Sequence, residues 1–430
     1  MKELQHLKRL SAVKTNAGVK FLTPAAFPGN HCPLHTVLAL SSNIRGMSTL
    51  VVGTSECANY SRNVIVKSKG ENEALHWMYV LDAHEVIFGC RKGLMEAIRE
   101  MGTSGAQAIM LVSTCVPEVI GEDIEGIVQE IQPQIKARLS DVQLGHFKCN
   151  SYPSGFWKTL SALGEMMEPR QTRTDVVNIL GRSPEEEHIP MPELMMTLVQ
   201  KGFQLRFLAP KSGIDDFIAA PDARLNLILS PYMNPLAEIM KKRYGVPFVS
   251  LHETYEVSAI DGLYRSVAEA LEIAWNGGFE KQREQALLLQ ERAREVFRGI
   301  RYIATHRNAL MPLPLALYMA ELHMEPILLH LEEFYPDDRH WAKALLERGE
   351  NPLLCHMVNE QADARVLERL EPDFSFGEIP AGTGKIPCVP YLYEMYGQIG
   401  YERTALLLHR MLSTLEEASD QKEGRIHGAV

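Results

Sequence analysis

The sequence predicts an α/β protein built from three Rossmann-like, doubly wound units, each a parallel sheet flanked by helices. Three observations carry this. Continuous apolar runs of the kind buried on both faces of a parallel sheet recur along the chain. Most of these runs end in Gly, Ser or Pro, and helix-forming segments alternate with them. At 430 residues, the chain is also long enough for two or three domains. The rhythm divides it at 1–165, 166–295 and 296–430.

In the first unit, MSTLVV (47–52) and GAQAIMLVSTC (105–115) read as strands, and an acidic segment after Gly121, EDIEGIVQEIQPQI, reads as a helix. Acidic residues suit its first turn because the macrodipole favours them there. The second unit opens with TDVVNILG (174–181). It continues through a helix near MPELMMTLVQKG, a strand FQLRFLA, a strand LNLILSP (225–231), the helix NPLAEIMKKRYG and the strand VPFVSL. The third repeats the pattern in GIRYIATH, PLALYMAELH, EPILLHL, NPLLCHMV and PDFSFGE. A helix at TALLLHRMLSTLEEA closes it, and the tail from Ser419 is expected to be disordered.

Composition narrows the function classes. A formal net charge of −10, with no basic stripe, argues against a general nucleic-acid binder. No apolar stretch approaches the roughly 18 residues of a membrane span. The N-terminal MKELQHLKRLSAVK is basic and amphipathic and lacks a secretory apolar core, so a cytoplasmic protein is expected. No GxGxxG fingerprint follows the first strand. The GTGK at 382–385 lacks the leading glycine of a phosphate loop, and Ile follows its lysine.

Seven cysteines in a reducing compartment do not predict a disulfide framework. Cys90, Cys355 and Cys388 read as small buried hydrophobes. Three others have unusual settings. Cys32 lies in the Pro/Gly loop FPGNHCPLH, Cys57 ends VVGTSEC at a strand-to-helix change, and Cys115 ends the strand IMLVSTC. Such junctions lie on the functional edge of an open sheet, where helix N-termini favour a thiolate. None of the three sits in a CxxC pair, so a zinc ribbon is not indicated. From the residues alone, a metal cluster and ordinary buried cysteines both remain open.

These motifs resemble the first domain of the β-type subunit of the nitrogenase component 1 family. Members carry a Cys followed closely by Pro, a Gly-x-x-Gly-Cys stretch, and a Thr-Cys segment leading into Ile-Gly-Asp-Asp. Here the counterparts are Cys32-Pro33, Gly53-Thr54-Ser55-Glu56-Cys57, and Thr114-Cys115 through Ile120-Gly121-Glu122-Asp123. The intervals, 57 − 32 = 25 and 115 − 57 = 58 residues, resemble the β rather than the α pattern. Val86-Ile87-Phe88-Gly89-Cys90 is similar to a family Val-Phe-Gly-Gly. Weaker likeness runs through LNLILSPYMNPLAEIMKKRYGVPF and ALYMAELHMEPILLHL to GYERTALLLHRML.

The resemblance implies that Cys32, Cys57 and Cys115 hold half of an iron–sulfur cluster at an interface with a homologous α-type subunit. It further implies an 8Fe-7S, P-type cluster in an α2β2 heterotetramer, served by an ATP-dependent iron–sulfur reductase; a 4Fe-4S cluster is the alternative. Any ATP would then be bound by the reductase. There are departures. Glu56 stands where a glycine usually precedes the cysteine, which would lower the cluster's potential or rearrange the loop. Cys90 replaces a glycine and offers a fourth thiol. Where the α-type subunit has its cofactor ligands, this chain has Ser230-Pro231-Tyr232 and Pro390-Tyr391-Leu392-Tyr393, so no catalytic cofactor is expected in this subunit.

Other candidates carry less. His31 and His35 flank Cys32, but the interposed Pro33 argues against a helical i,i+4 pair. They are expected to face solvent or to support the ligands rather than bind metal. His252 in HETYE has no second histidine at metalloprotease spacing. Cys149, with Ser151 and Ser154 nearby, is expected to be core. Tyr60 and Arg62 follow Cys57 on a helix and are placed near the cluster's surroundings. Glu118, Glu122 and Asp123 read as helix caps. The leading function is an electron-relay subunit of a nitrogenase-like reductase acting on carbon–sulfur bonds of small methylthio compounds, or on dinitrogen. A cofactor-assembly scaffold and a tetrapyrrole reductase relative are the alternatives.

Overall fold

The computed structural model describes the chain except residues 1–3, 5–6, 16–17, 20–31, 65–73, 146–151, 183–187, 209–210, 276, 309, 333, 335–337, 357–359, 380–385 and 428–430, and except the side chains of 62–64, 152–154, 360–363 and 420–427. A two-residue strand, β1 (Lys8–Arg9), comes first. The first sheet follows, from β2 (Met47–Gly53), β3 (His76–Val80), β4 (Ala108–Ser113) and β5 (Arg138–Gln143), in the order β3-β2-β4-β5 and parallel throughout. Every residue of β2 and β4 is buried, which explains why neither sequence alternates.

The second sheet, from β6 (Arg173–Leu180), β7 (Gln204–Leu208), β8 (Ala223–Ile228) and β9 (Phe248–Ser250), repeats that topology in the order β7-β6-β8-β9. The third holds β10 (Arg301–Ala304), β11 (Glu325–His330), β12 (Leu353–Cys355), β13 (Phe374–Phe376) and β14 (Cys388–Val389). Its order is β1-β12-β11-β10-β13-β14, parallel except for β1, which pairs antiparallel at the edge with Lys8 opposite Leu354. The N-terminal segment therefore crosses to the third sheet. A hydrophobic core runs from the first sheet into the second, with Val51, Val112, Leu180 and Ile228 in one cluster.

Several expectations need correction. Pro33 does not prevent a helix: Pro33–Ser41 is helical with the proline at its first position, where the missing N–H has no intrahelical partner to lose. The segment after Ser419 is not irregular, since the closing helix runs Gly400–His427. The helix expected from Gly121 is two elements. Gly121 ends a short helix, Cys115–Ile120, in the left-handed region, and Asp123 caps the next one, Ile124–Ile131, by accepting from the Gly126 N–H at 2.9 Å. The closing helix bonds to the second unit, where Thr404 Oγ1 donates to the Tyr255 carbonyl at 2.7 Å.

Candidate functional site: the thiol edge

β2 and β4 are neighbours in register, with Val52 opposite Ser113, so their carboxyl ends lie side by side. Beyond β2, the helix Ser55–Val64 begins, and Cys57 sits in its first turn rather than at the junction itself. Beyond β4, Thr114 is the N-cap and Cys115 the first residue of the helix Cys115–Ile120. Cys32 is the N-cap of Pro33–Ser41. None of the three is in a disulfide, and each is half-buried.

The junction is tightly built. Thr114 Oγ1 donates to the Val52 carbonyl at 2.8 Å, and the Thr114 N–H reaches the same oxygen at 3.2 Å. Gly53 has no room for a side chain, because a Cβ there would lie 2.2 Å from Thr114 Oγ1 and 3.3 Å from Cys57 Sγ. Cys32 feels the charges of both Cys115 and Cys57, which brings the three sulfurs into one electrostatic neighbourhood. The expectation that helix N-termini lower the thiol pKa fails for Cys32. Burial pushes it up, the backbone at Leu34 opposes this, and the other two thiols add to the rise.

Tyr60 packs beside the same thiols. Its phenol is pushed up by burial and by the Cys32 charge, while a hydrogen bond to the Cys32 backbone opposes the rise. Glu56 is exposed, and its carboxylate is held low by the Thr54 hydroxyl and by its own backbone N–H. It serves its own helix start. Cys90 belongs elsewhere: it is 1% exposed in a core on the other face of the sheet, with Leu94, Ile109 and Leu111. Burial first, then Glu122 and Glu85, push its thiol up to about 12. Glu122 accepts from the Cys90 N–H at 3.2 Å, and Glu118 from Gly145, so only Asp123 of the three acids caps its helix as expected. Cys355 is fully buried, while Cys388 is half-buried and donates to the Gly377 carbonyl at 3.2 Å. His31, Cys149, Ser151, Lys385 and the side chains of Arg62 and Ser154 lie outside the described residues.

Among the described residues, no three His, Cys, Asp or Glu side chains surround a position for one metal ion. The donor set at the edge is all thiol, half-buried, and does not converge on a single-ion position among the described residues. That fits a polynuclear cluster completed by ligands from another chain better than it fits zinc. Sequence reasoning missed an apolar patch flanking these thiols. Ile87 (72% exposed) and Phe88 (73%) end the helix Ala83–Phe88, and Val119 (67%) stands on the helix Cys115–Ile120, which packs beside it. Asp82, His84, Arg91 and Asp123, on or beside these helices in sequence, are exposed, and the His84 ring lies 4.6 Å from that of Phe88. Ser230, Tyr391 and His252 lie far along the chain from this edge and line a separate cavity of about 560 Å³.

The class these features define is a three-unit, doubly wound α/β protein whose first sheet presents three thiols on its carboxyl edge. The sequence matches the family model of the nitrogenase component 1 type oxidoreductases over residues 32–416, and the chain belongs to that family. It is 22% identical over 421 residues to the nitrogenase molybdenum-iron protein beta chain of Methanothermobacter thermautotrophicus, covering 88% of this chain and 89% of that one. It is 26% identical over 251 residues to the nitrogenase iron-molybdenum cofactor biosynthesis protein NifE of Clostridium pasteurianum. That match covers 56% of this chain, which spans about half, 53%, of NifE. Over 172 residues it is 23% identical to a subunit of the light-independent protochlorophyllide reductase of Gloeobacter violaceus, covering 37% of this chain and 34% of that one. The solved structure "Nitrogenase Cp1 at pH 6.5" superposes with a TM-score of 0.68 over 93% of this chain and 95% of its own, at 15% identity, and thus shares the fold.

Proposed function

We propose that the chain is the β-type, electron-relay subunit of a nitrogenase-like two-component reductase in the cytoplasm. Cys32, Cys57 and Cys115 would hold its half of an 8Fe-7S cluster shared with a homologous α-type subunit in an α2β2 assembly. The single observation that carries this reading is the gathering of three half-buried cysteines, none in a disulfide, on one sheet edge. The near-complete span of the match to a nitrogenase beta chain supports it. When bound, such a cluster supplies one-electron redox chemistry. The chain's own residues do the holding: Gly53 and Thr114 fix the spacing of the two strand ends, and Tyr60 braces the Cys32 backbone.

An ATP-dependent iron–sulfur reductase would dock on the apolar patch at Ile87, Phe88 and Val119. A small apolar centre with a charged rim is the anatomy of a transient interface, and this one adjoins the thiols. Substrate, either a small methylthio compound or dinitrogen, would be reduced at a metallocofactor in the α partner. No described helix is long and apolar enough to cross a membrane.

The test compares thiols. Cys57→Ala and Cys115→Ala, each purified with the partner under anaerobic conditions, are expected to lose cluster EPR signal and reductase-dependent turnover together. Cys355→Ala should cost only about 1 kcal/mol of stability. Equal behaviour of all three variants sinks the assignment. The similarity to NifE favours one second reading, a scaffold on which a cofactor is assembled. Iron counting separates the two, since about four irons per interface rather than about eight supports the scaffold.

A further inference from the structure

The cavity of about 560 Å³ lies where the second and third sheets present their carboxyl ends: Gly181 follows β6, Ser230 lies beyond β8, Thr305 follows β10, and His330 ends β11. That size suits a small organic molecule. No described cysteine lines it, so its described donors do not resemble those of the thiol edge.

Two buried side chains in its wall have unmet polar atoms. Arg403 is 8% exposed. It donates to the His252 carbonyl and, at 2.9 Å, to the Tyr255 hydroxyl, and its guanidinium lies 4.6 Å from the Tyr255 ring centroid. Among the described residues no carboxylate forms an ion pair with it, and its Nε has no hydrogen-bond partner. His252 is 3% exposed; its Nε2 meets Asn234 Oδ1 at 3.3 Å and lies 3.8 Å from the Glu253 carboxylate, and Nδ1 has no partner. A buried cation without a counter-ion is costly unless something supplies the charge. Arg403 also sits in the first turn of the helix Gly400–His427, whose N-terminus adds positive potential.

Apart from two carboxylates, Glu332 and Asp338, the rest of the wall is apolar or neutral. Phe156 stacks on Tyr232 at 4.7 Å between ring centroids, and Leu229, Leu313 and Met395 complete that side. Burial, then His306 and His356, hold His330 down to about 3, so it carries no charge at neutral pH. Glu332 and Asp338 also line the cavity. They come from the segment after β11 and take part in interactions of their own.

We propose that this cavity binds a small carboxylate with an aromatic body, the carboxylate meeting Arg403 and His252 and the ring lying beside Phe156 and Tyr232. The site is separate from the thiol edge, and its failure would leave the cluster reading untouched.

Isothermal titration of the full purified complex with benzoate and with benzamide tests it. One benzoate site per chain is expected, with benzamide at least about 10-fold weaker, because a charge-assisted pair is worth more than a neutral one. Arg403→Met should erase that preference. Should Arg403→Met fail to fold, Met311→Trp decides: Met311 lines the cavity, makes none of the Arg403 bonds, and its replacement by Trp should abolish binding of both probes. Absence of saturable benzoate binding, equal affinity for the two probes, or full binding in Met311→Trp overturns the proposal.

Discussion

Replacing Gly53 by alanine tests whether the joint between β2 and β4 sets the cysteine edge. The new Cβ would sit 2.2 Å from Thr114 Oγ1, more than about 1 Å inside an ordinary contact of about 3.5 Å. Thr114 cannot simply swing away, because its hydroxyl is buried and bonded to the Val52 carbonyl. The strand ends must part or that bond must break, at a cost of about 1–3 kcal/mol. Thr114→Ala alone removes the bond but leaves the Val52 carbonyl its backbone partner, so it should cost about 0.5–1.5 kcal/mol. In the double variant the 2.2 Å contact is gone, leaving 3.2 Å to the Thr114 Cβ position and 3.3 Å to Cys57 Sγ, and the cost should fall short of the sum of the two single costs by about 1 kcal/mol or more. Urea denaturation of the four proteins measures this, and iron content measured in parallel should fall in Gly53→Ala. Gly262→Ala is the control: a Cβ there meets nothing within 4 Å, and alanine in that helix should add about 0.5–1 kcal/mol. Additivity of Gly53→Ala and Thr114→Ala within about 0.5 kcal/mol would refute the reasoning.

Two further outcomes concern buried groups. The Cys90 thiol is raised from 9.0 to about 12, so its contribution to stability is full below pH 9 and declines as pH rises towards 12. Cys90→Ala should therefore flatten the alkaline fall in the denaturation midpoint; an unchanged slope contradicts the burial argument. Asn178 donates at 2.8 Å to Asn226 Oδ1 and at 2.9 Å to the Ala220 carbonyl, with both asparagines fully buried. Asn178→Ala should cost about 1–3 kcal/mol for each acceptor left alone, and a smaller loss by urea titration would mean that water replaces the amide.

The central strands were legible because their physics is local. β2, β4, β6 and β8 are buried runs whose composition carries the signal. The helix Glu280–Val296 escaped notice despite good helix formers, because its mostly polar sequence lacks a clear apolar face, and it packs on the distant closing helix. β1 is two residues long and defined only by a partner more than 340 positions away, which no window can reveal. Cys57 and Cys115 were legible as strand-end cysteines, and Cys32 as a cysteine in a Pro/Gly loop. Their common neighbourhood was not, because it depends on β2 and β4 being adjacent. The family resemblance, rather than spacing, supplied that adjacency. The Ile87 and Phe88 patch went unseen because an exposed apolar residue in sequence looks like any buried one.

That patch yields a prediction able to separate its two candidate occupants. A permanent partner that completes the cluster must reach the thiols themselves, which lie half-buried. Ile87 and Phe88 instead project from a short helix ending at Gly89, whose φ of 89° turns the chain back into the core at Cys90. They are held up to solvent on a rigid support: Asp82 accepts from the Glu85 N–H at 2.8 Å, and Glu85 accepts in return from the Asp82 N–H at 3.1 Å, a reciprocal cap. Phe88→Asp removes the most exposed ring of that projection without disturbing the core, so folding and iron content should match the wild type. Because a central aromatic anchor commonly carries about 2 kcal/mol or more of an interface, the reductase concentration needed for half-maximal turnover should rise about 30-fold or more. Turnover at saturating reductase should change far less. If Phe88→Asp instead dissociates the proposed heterotetramer in analytical ultracentrifugation, the patch belongs to the permanent interface, and the proposed reductase would approach the thiol edge from another side.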